Sequence, residues 1–150
     1  MTAYYCKYGK CKGQVTIKEL EDSFELTSFK WKIERNINSA VGGLTREADA
    51  PQIGEFYMTK RTDGASTKLL EDAVIGKLDN DCWVKVVKTD ADGVKVFLTF
   101  EAKKCGLKRY APDSGSGDEL MEELVIGFEE VSMKYETESF GYNLIKRAKQ

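Results

Sequence analysis

There is not one histidine in these 150 residues, and that absence removes more chemistry than any residue present supplies. Ser-His-Asp and Cys-His nucleophile arrangements cannot be built without an imidazole, so acid/base work would fall to carboxylates or lysines. Metal chemistry is equally short of ligands. Cys6 and Cys11 stand five apart, not in a C-x-x-C pair, and no histidine can complete a mixed zinc site. The sequence therefore predicts no metal, no cofactor and no catalytic residue. Charge of one sign is missing too: 23 Lys+Arg against 25 Asp+Glu leave a net −2, spread along the chain, with no field to draw in nucleic acid or an anionic membrane. Also absent are a run approaching the roughly 20 apolar residues of a spanning helix and, within MTAYYCKYGKCKG, the roughly 7–15-residue apolar stretch of a signal peptide. These gaps predict a soluble product made in the cytosol, where the thiols of Cys6, Cys11, Cys82 and Cys105 stay free.

What is present is strand alternation. A chain of 16.9 kDa fits a single domain, 1–150, with a core that needs no staple. Tyr4, Cys6 and Tyr8 alternate with Tyr5 and Lys7. From Ser23 the apolar set runs Phe24, Leu26, then Phe29, Trp31, Ile33, and the step from even to odd positions predicts a bulge near Thr27 and Ser28. Phe56 and Met58 alternate with Tyr57 and Thr59. Cys82–Lys88 and Val94–Glu101 form a hairpin around an Asp-Gly turn, with Val84, Val86, Val94, Val96, Leu98 and Phe100 on one side. A separate strand follows at Leu107–Ala111, and Leu124 to Tyr135 reads as one long strand with a second parity switch. Phe140, Tyr142 and Leu144 close the chain. One stretch is helical, 66–77: Ser66 or Asp63 caps it, Lys68 reaches Glu71 and Asp72, and Leu69, Leu70, Ala73 and Val74 form the buried face. The expected fold is mainly β, a small antiparallel barrel of about eight strands with this one flanking helix and a long extended loop, 38–54.

That loop, about 17 residues, exceeds what compact domains usually leave without structure, and it carries Val41, Leu44 and Ile53. Two readings stand: it reaches onto a neighbouring molecule, or it folds as a flap over its own barrel. Trp31, on a strand that serves two packing surfaces, and Ile75, off the helix's buried stripe, complete the interface candidates Val41, Leu44, Ile53, Trp31 and Ile75. Every reactive alternative has a plainer reading. Glu122-Glu123 and Glu129-Glu130 are strand neighbours that point to opposite faces and read as solvated edges. Residues 88–99 resemble a calcium loop but offer Lys88 and Thr99 at its first and last ligand positions. Ser114-Gly115-Ser116-Gly117 leads into a strand, not a helix, and is a turn. The basic patch Lys103, Lys104, Lys108, Arg109 has only Tyr110 as a stacking platform, and reads as solvated surface or as a wall of a charged interface.

Two stretches carry more than periodicity. Phe56-Tyr57-Met58-Thr59-Lys60, followed by Asp63, Ser66, Leu69 and Gly76-Lys77, resembles the strand-then-helix signature of the Hcp (haemolysin-coregulated protein) family, tube subunits of bacterial type VI secretion systems. Gly115-Ser116-Gly117-Asp118, then Glu122-Glu123, Val125, Phe128, Val131 and Tyr135, is similar to that family's glycine turn and following strand. Lys12-Gly13, Phe29 with Trp31, and Gly141-Tyr142-Asn143 fall in the expected order, so the likeness spans almost the whole chain. The resemblance implies a β-barrel with one helix, hexameric rings stacked into a hollow tube, a contractile sheath and a spike protein as partners, effector cargo in the lumen, and secretion without a signal peptide. A phage or phage-like tail-tube subunit fits the same pattern. A monomeric barrel for a small apolar ligand is the competing reading.

Overall fold

The computed structural model describes residues 2–37, 50–114, 117, 119–146 and 148–149. In chain order the elements are β1 (Thr2–Tyr8), β2 (Phe24–Lys30), β3 (Ile33–Glu34), β4 (Gln52–Ile53), β5 (Phe56–Arg61), α1 (Ser66–Ile75), β6 (Asn80–Asp90), β7 (Gly93–Asp113), β8 (Met121–Gly127), β9 (Glu130–Tyr135), β10 (Glu138–Asn143) and β11 (Ala148–Lys149). The large sheet runs β11-β10-β9-β7-β6-β1-β2-β5-β8, and a further β7–β8 pairing closes its last six strands into a barrel. Strands β9, β10 and β11 remain outside the closure. The expected count of about eight is met by the strands of six residues or more, six of them in the closed ring and two in the extension.

Strand β7 makes this possible by serving two partners along one edge while β6 pairs with the other. Its 21 residues form one continuous strand, so the separate strand expected at Leu107–Ala111 is its far half. Residues 98–103 pair with β9 and residues 106–113 with β8. Lys104, at φ +55 between them, turns the strand from one partner to the other. The expected single strand from Leu124 to Tyr135 is correspondingly two, β8 and β9, separated at Phe128-Glu129, and the change of parity falls in that gap. The bulge expected at Thr27 and Ser28 is present as a register shift between Leu26 and Ser28 where β2 meets β5. The hairpin turn is tighter than expected: Asp90 pairs with Gly93, Gly93 sits at φ +113, and Val94 lies exposed beyond the apolar row.

The barrel is filled. Cys6, Tyr8, Phe24, Phe56, Met58, Val84, Leu124 and Ile126 are all buried in one cluster, and Leu69 of α1 joins it. At one end of β5 the rings of Phe29, Trp31, Phe56, Phe100 and Phe128 pack on one another at centroid separations from 4.7 to 6.5 Å. Gly13 is required by close approach, since a Cβ there would lie 2.1 Å from the Ser23 carbonyl oxygen. Of the loop expected at 38–54, Gln52 and Ile53 form β4 and pair with Glu34 and Ile33 of β3. Val41 and Leu44 lie outside the described residues, as do Gly115, Ser116 and Asp118 of the glycine turn.

The helix differs from expectation in three ways. It ends at Ile75, with Gly76 extended at φ −67. Ala65 occupies the N-cap position; Asp63 instead accepts the Ala65 N–H at 2.9 Å and donates its own N–H to Ser66 Oγ at 3.0 Å. Leu70 and Val74, expected in the buried face, point outward at 52% and 72% exposure.

Candidate functional site

The helix turns outward because its inward face is held by polar groups. At its first turn, Lys60 is completely buried, and its ammonium places all three N–H bonds: on Glu122 Oε1 at 2.7 Å, Asp63 Oδ1 at 2.9 Å and the Arg61 carbonyl at 2.8 Å. Glu122 is fully used in return. Ser66 of α1 donates to Oε1 at 2.9 Å, Thr62 to Oε2 at 3.3 Å, and Tyr110 of β7 makes a short bond to Oε2. Burial alone would raise the Glu122 carboxyl, but the bonds from Lys60, Tyr110 and Ser66 outweigh it and hold the group below its ordinary value. Burial, and then Glu122, push the Tyr110 phenol up to about 12. The expectation that Glu122 is a solvated edge is thus overturned, though Glu123 does face solvent, where Arg109 meets it at 3.1 Å.

A second anchor holds the last turn. Tyr8 donates to Asp72 Oδ2 at 2.6 Å and Asn80 Nδ2 to Asp72 Oδ1 at 3.0 Å, so Asp72 is committed inward and Lys68 is left to pair with Glu71 alone, at 3.4 Å. With Ser66, Leu69 and Asp72 facing the barrel, helical geometry sends Leu70, Val74 and Ile75 away from it. Leu70 and Val74, one turn apart, form an aliphatic ridge in solvent, and Ile75 is exposed about 100° further round the helix.

Strands β9 and β10 form an arm with the same problem on a larger scale. Register places Phe100, Met133 and Phe140 in one cross-strand row and Leu98, Tyr135 and Glu138 in the next. Thr99, Glu101, Ser132, Lys134 and Ser139 therefore lie on the opposite, polar face. On the apolar face Met133 is 43%, Tyr135 50% and Phe140 55% exposed. Near the base of the arm, Leu78, Leu107, Phe128, Leu144 and Ile145 line an open apolar groove of ≈ 600 Å³.

Chemistry is poorly served. Among the described residues no group of three or more cysteine, aspartate or glutamate side chains gathers to hold a metal. The basic patch is largely neutralised, with Lys104 3.6 Å from Glu129, Lys108 2.7 Å from Glu55 and Arg109 on Glu123, which supports the reading as ordinary surface. Among the described residues no helix is long and apolar enough to cross a membrane.

This barrel has one flanking helix, a partly exposed arm and, among the described residues, no metal-holding cluster. The family model described as "Type VI secretion system effector, Hcp" matches residues 5–135. This chain belongs to the Hcp family. No curated protein matches it, but solved structures do. A type six secretion system protein is 20% identical with a TM-score of 0.89, each chain covered over 100%. Hcp1 from Salmonella typhimurium is 15% identical, TM-score 0.81, with 99% of each chain covered. The secreted protein Hcp3 from Pseudomonas aeruginosa is 16% identical, TM-score 0.68, covering 95% of this chain and 98% of its own. At these identities the structures establish the shared Hcp fold.

Of the interface candidates, Ile75 is 72% exposed on the helix. Trp31 is half-buried among Phe56, Phe100 and Phe128 and donates its indole N–H to the Gly54 carbonyl at 2.9 Å. Ile53 is half-buried and packs against the core cluster. The structure does not bring these three together into one surface. Sequence reasoning missed Lys60, Glu122, Leu70, Val74, Met133, Tyr135 and Phe140. For the ion pair a signal existed: Lys60 is in phase with Phe56 and Met58, and Glu122 with Leu124 and Ile126, so a period of two already places both on the inward face.

Proposed function

We propose that this chain is a structural tube subunit of a type VI secretion system, six copies closing into a ring and rings stacking into a hollow tube. In this reading the chain is made in the cytosol, a contractile sheath drives the tube outward behind a spike protein, effectors travel in the lumen, and the chain catalyses no reaction. Family membership supports it. The observation that carries it from this chain's own residues is the partly exposed apolar face of Met133, Tyr135 and Phe140, in a protein with a complete barrel core that does not need them. Each such side chain stabilises an interface by roughly 1.5–3 kcal/mol when it goes from fully exposed to fully buried. Contiguous apolar surface of this kind marks association sites.

Closing a ring requires a heterologous contact, one patch meeting a different patch on the next copy. Ile75 on the helix and the loop bearing Val41, Leu44 and Ile53 are the proposed contacts within and between rings, with Trp31 fixing the base of the loop through Gly54. Light scattering on the purified chain should give about six times 16.9 kDa, and negative-stain images should show annuli with a central hole. A stable monomer at high concentration, without annuli, sinks the proposal. The ligand-carrier alternative is disfavoured by an interior already occupied by Phe24, Phe56, Met58, Leu69 and Leu124.

A further inference from the structure

Three neighbouring strands of the barrel each bring a thiol to its interior: Cys6 from β1, Cys82 from β6 and Cys105 from β7, all buried in the core cluster. A buried cysteine ordinarily packs as a small hydrophobe. Cys6 and Cys82 do more than fill space, because their sulfurs touch at 3.8 Å although the residues stand 76 positions apart in the chain. The register explains the contact. Cys6 pairs with Val84 and Cys82 with Tyr8, so the two cysteines are diagonal neighbours on one face of adjacent strands, which lie about 4.8 Å apart.

We propose that Cys6 and Cys82 are a latent disulfide: two thiols in the reducing cytosol, and a covalent bridge between β1 and β6 once the chain meets an oxidising medium that holds small-molecule disulfides. Bringing the sulfurs to about 2.05 Å takes rotation about the two Cα–Cβ bonds and leaves the strand pairing in place. The exchange balances between the two reactants. One cysteine thiolate attacks the external disulfide, forming a mixed disulfide and releasing one external thiol. The second cysteine thiolate attacks the protein sulfur of that mixed disulfide, closing the Cys6–Cys82 bond and releasing the other external thiol. The two cysteine protons end on the released thiols, and the two electrons lost by the protein reduce the external disulfide. Burial sets the timing: Cys6 is 0% and Cys82 2% exposed, so exchange waits on opening of the barrel and is slow in both directions. Separation in sequence sets the effect, since a bridge stabilises more as the loop it closes grows longer. The chemistry does not depend on assembly. A tube subunit driven outward supplies the occasion, because it leaves the compartment that keeps thiols reduced.

The test is exchange in a buffer of reduced and oxidised glutathione, quenched with acid, alkylated, and read by intact mass and peptide mapping. Unfolded in concentrated urea, the chain should link mainly Cys6 to Cys11, the pair that closes the shortest loop. On dilution into folding conditions the link should move to Cys6–Cys82, with two hydrogens lost per chain. The bridged chain should melt higher by on the order of 10 °C, and reduction with dithiothreitol should remove the gain. Cys11→Ala and Cys105→Ala should keep both the bridge and the shift, and Cys82→Ala should lose both. Far-UV circular dichroism checks that each variant folds; if Cys82→Ala does not, Cys6→Ala carries the same test. A folded chain that keeps all four thiols free, that holds glutathione in place of a bridge, or that links any other pair would overturn the proposal, as would a Cys6–Cys82 bridge that lowers Tm. Mass and melting are read on the single chain, so a protein that never forms rings overturns the tube reading and leaves this result as it stands.

Discussion

Strand β5 begins at Phe56 and ends one residue past Lys60, and the barrel is secured by opposite means at its two ends. At Phe56, rings pack edge-on and tilted against rings. At Lys60, a buried ammonium donates three hydrogen bonds and a buried carboxylate accepts four. Phe56 at one end and Lys60 and Glu122 at the other are fully buried, yet the two ends fail for different reasons. Aromatic packing carries no net charge to strand, and its loss scales with the volume removed. A buried ion pair gives little net stability while whole and costs much when half of it is removed, because the remaining charge is left without a partner in a low-dielectric site.

The largest expected effects come from striking each end once. Phe56→Ala should cost about 3–5 kcal/mol as a cavity, and Lys60→Met about 3–5 kcal/mol as an orphaned carboxylate, each lowering Tm by on the order of 10 °C for a chain of this length. Second substitutions separate them. Adding Glu122→Leu to Lys60→Met should recover part of the loss, since it removes the stranded charge, whereas adding it to Phe56→Ala should make matters worse. Urea denaturation at fixed protein concentration reads both, and equal penalties in the two backgrounds would show that the ends do not differ in kind.

Acid should distinguish the ends next. Because the folded Glu122 carboxyl sits below its ordinary value near 4.5, its stabilisation is full above that value and is lost as pH falls through the lower, folded one. The stability gap between the unaltered chain and Glu122→Gln should therefore be constant from neutrality to about pH 5 and narrow below the usual carboxylate range. The gap to Phe56→Ala should not change its slope there. A Glu122→Gln gap that stayed flat into strong acid would show that the carboxylate is not what holds the helix.

Thiol labelling gives a smaller, local version of the same contrast. Cys11 and Cys105 lie beneath the helix side of the barrel, both buried; burial pushes the Cys11 thiol up to about 11 and raises Cys105 as well. Cys82 is raised by its contact with Cys6, 3.8 Å away, and by burial. Native protein should react with a thiol reagent far more slowly than denatured protein. Lys60→Met, which loosens the helix anchor, should speed the reaction of Cys11 and Cys105 more than Phe56→Ala does.

The two ends also differ in how far they could be read in advance. Phe29, Trp31, Phe56 and Phe100 declare themselves, because hydrophobicity and a period of two agree on where they go, and the barrel, the single helix and the Leu26–Ser28 bulge follow from the same signal. Lys60 and Glu122 carry residue types that are normally solvated, so composition argued against the periodicity that placed them inside. That error spread to the helix. With Leu69, Leu70, Ala73 and Val74 spaced one turn apart, the natural choice is to bury all four; only the inward commitment of Ser66 and Asp72 shows that Leu70 and Val74 are turned out. The arm escaped for a different reason. Alternation correctly put Met133 and Phe140 on an apolar face, but whether a face has a cover depends on closure, and that the barrel closes through the β7–β8 pairing, with β9 outside it, is a long-range fact.

The smallest effect is expected where the bond is just as short. Lys108 reaches Glu55 at 2.7 Å, the same distance as Lys60 to Glu122, and the Glu55 carboxyl is likewise held below its ordinary value, here by the Lys108 hydrogen bond. The difference is water. The Lys108 side chain is 66% exposed and the Lys60 side chain 0%, so removing the first leaves a carboxylate that solvent can hydrate at once, while removing the second leaves a buried carboxylate with its hydroxyl donors but no counter-charge. Lys108→Ala should leave Tm within error of the unaltered chain, and raising the salt concentration should erase whatever difference remains. A loss comparable to that of Lys60→Met would mean that Lys108 is covered in the assembled protein, and would place the Glu55–Lys108 edge inside a contact between copies.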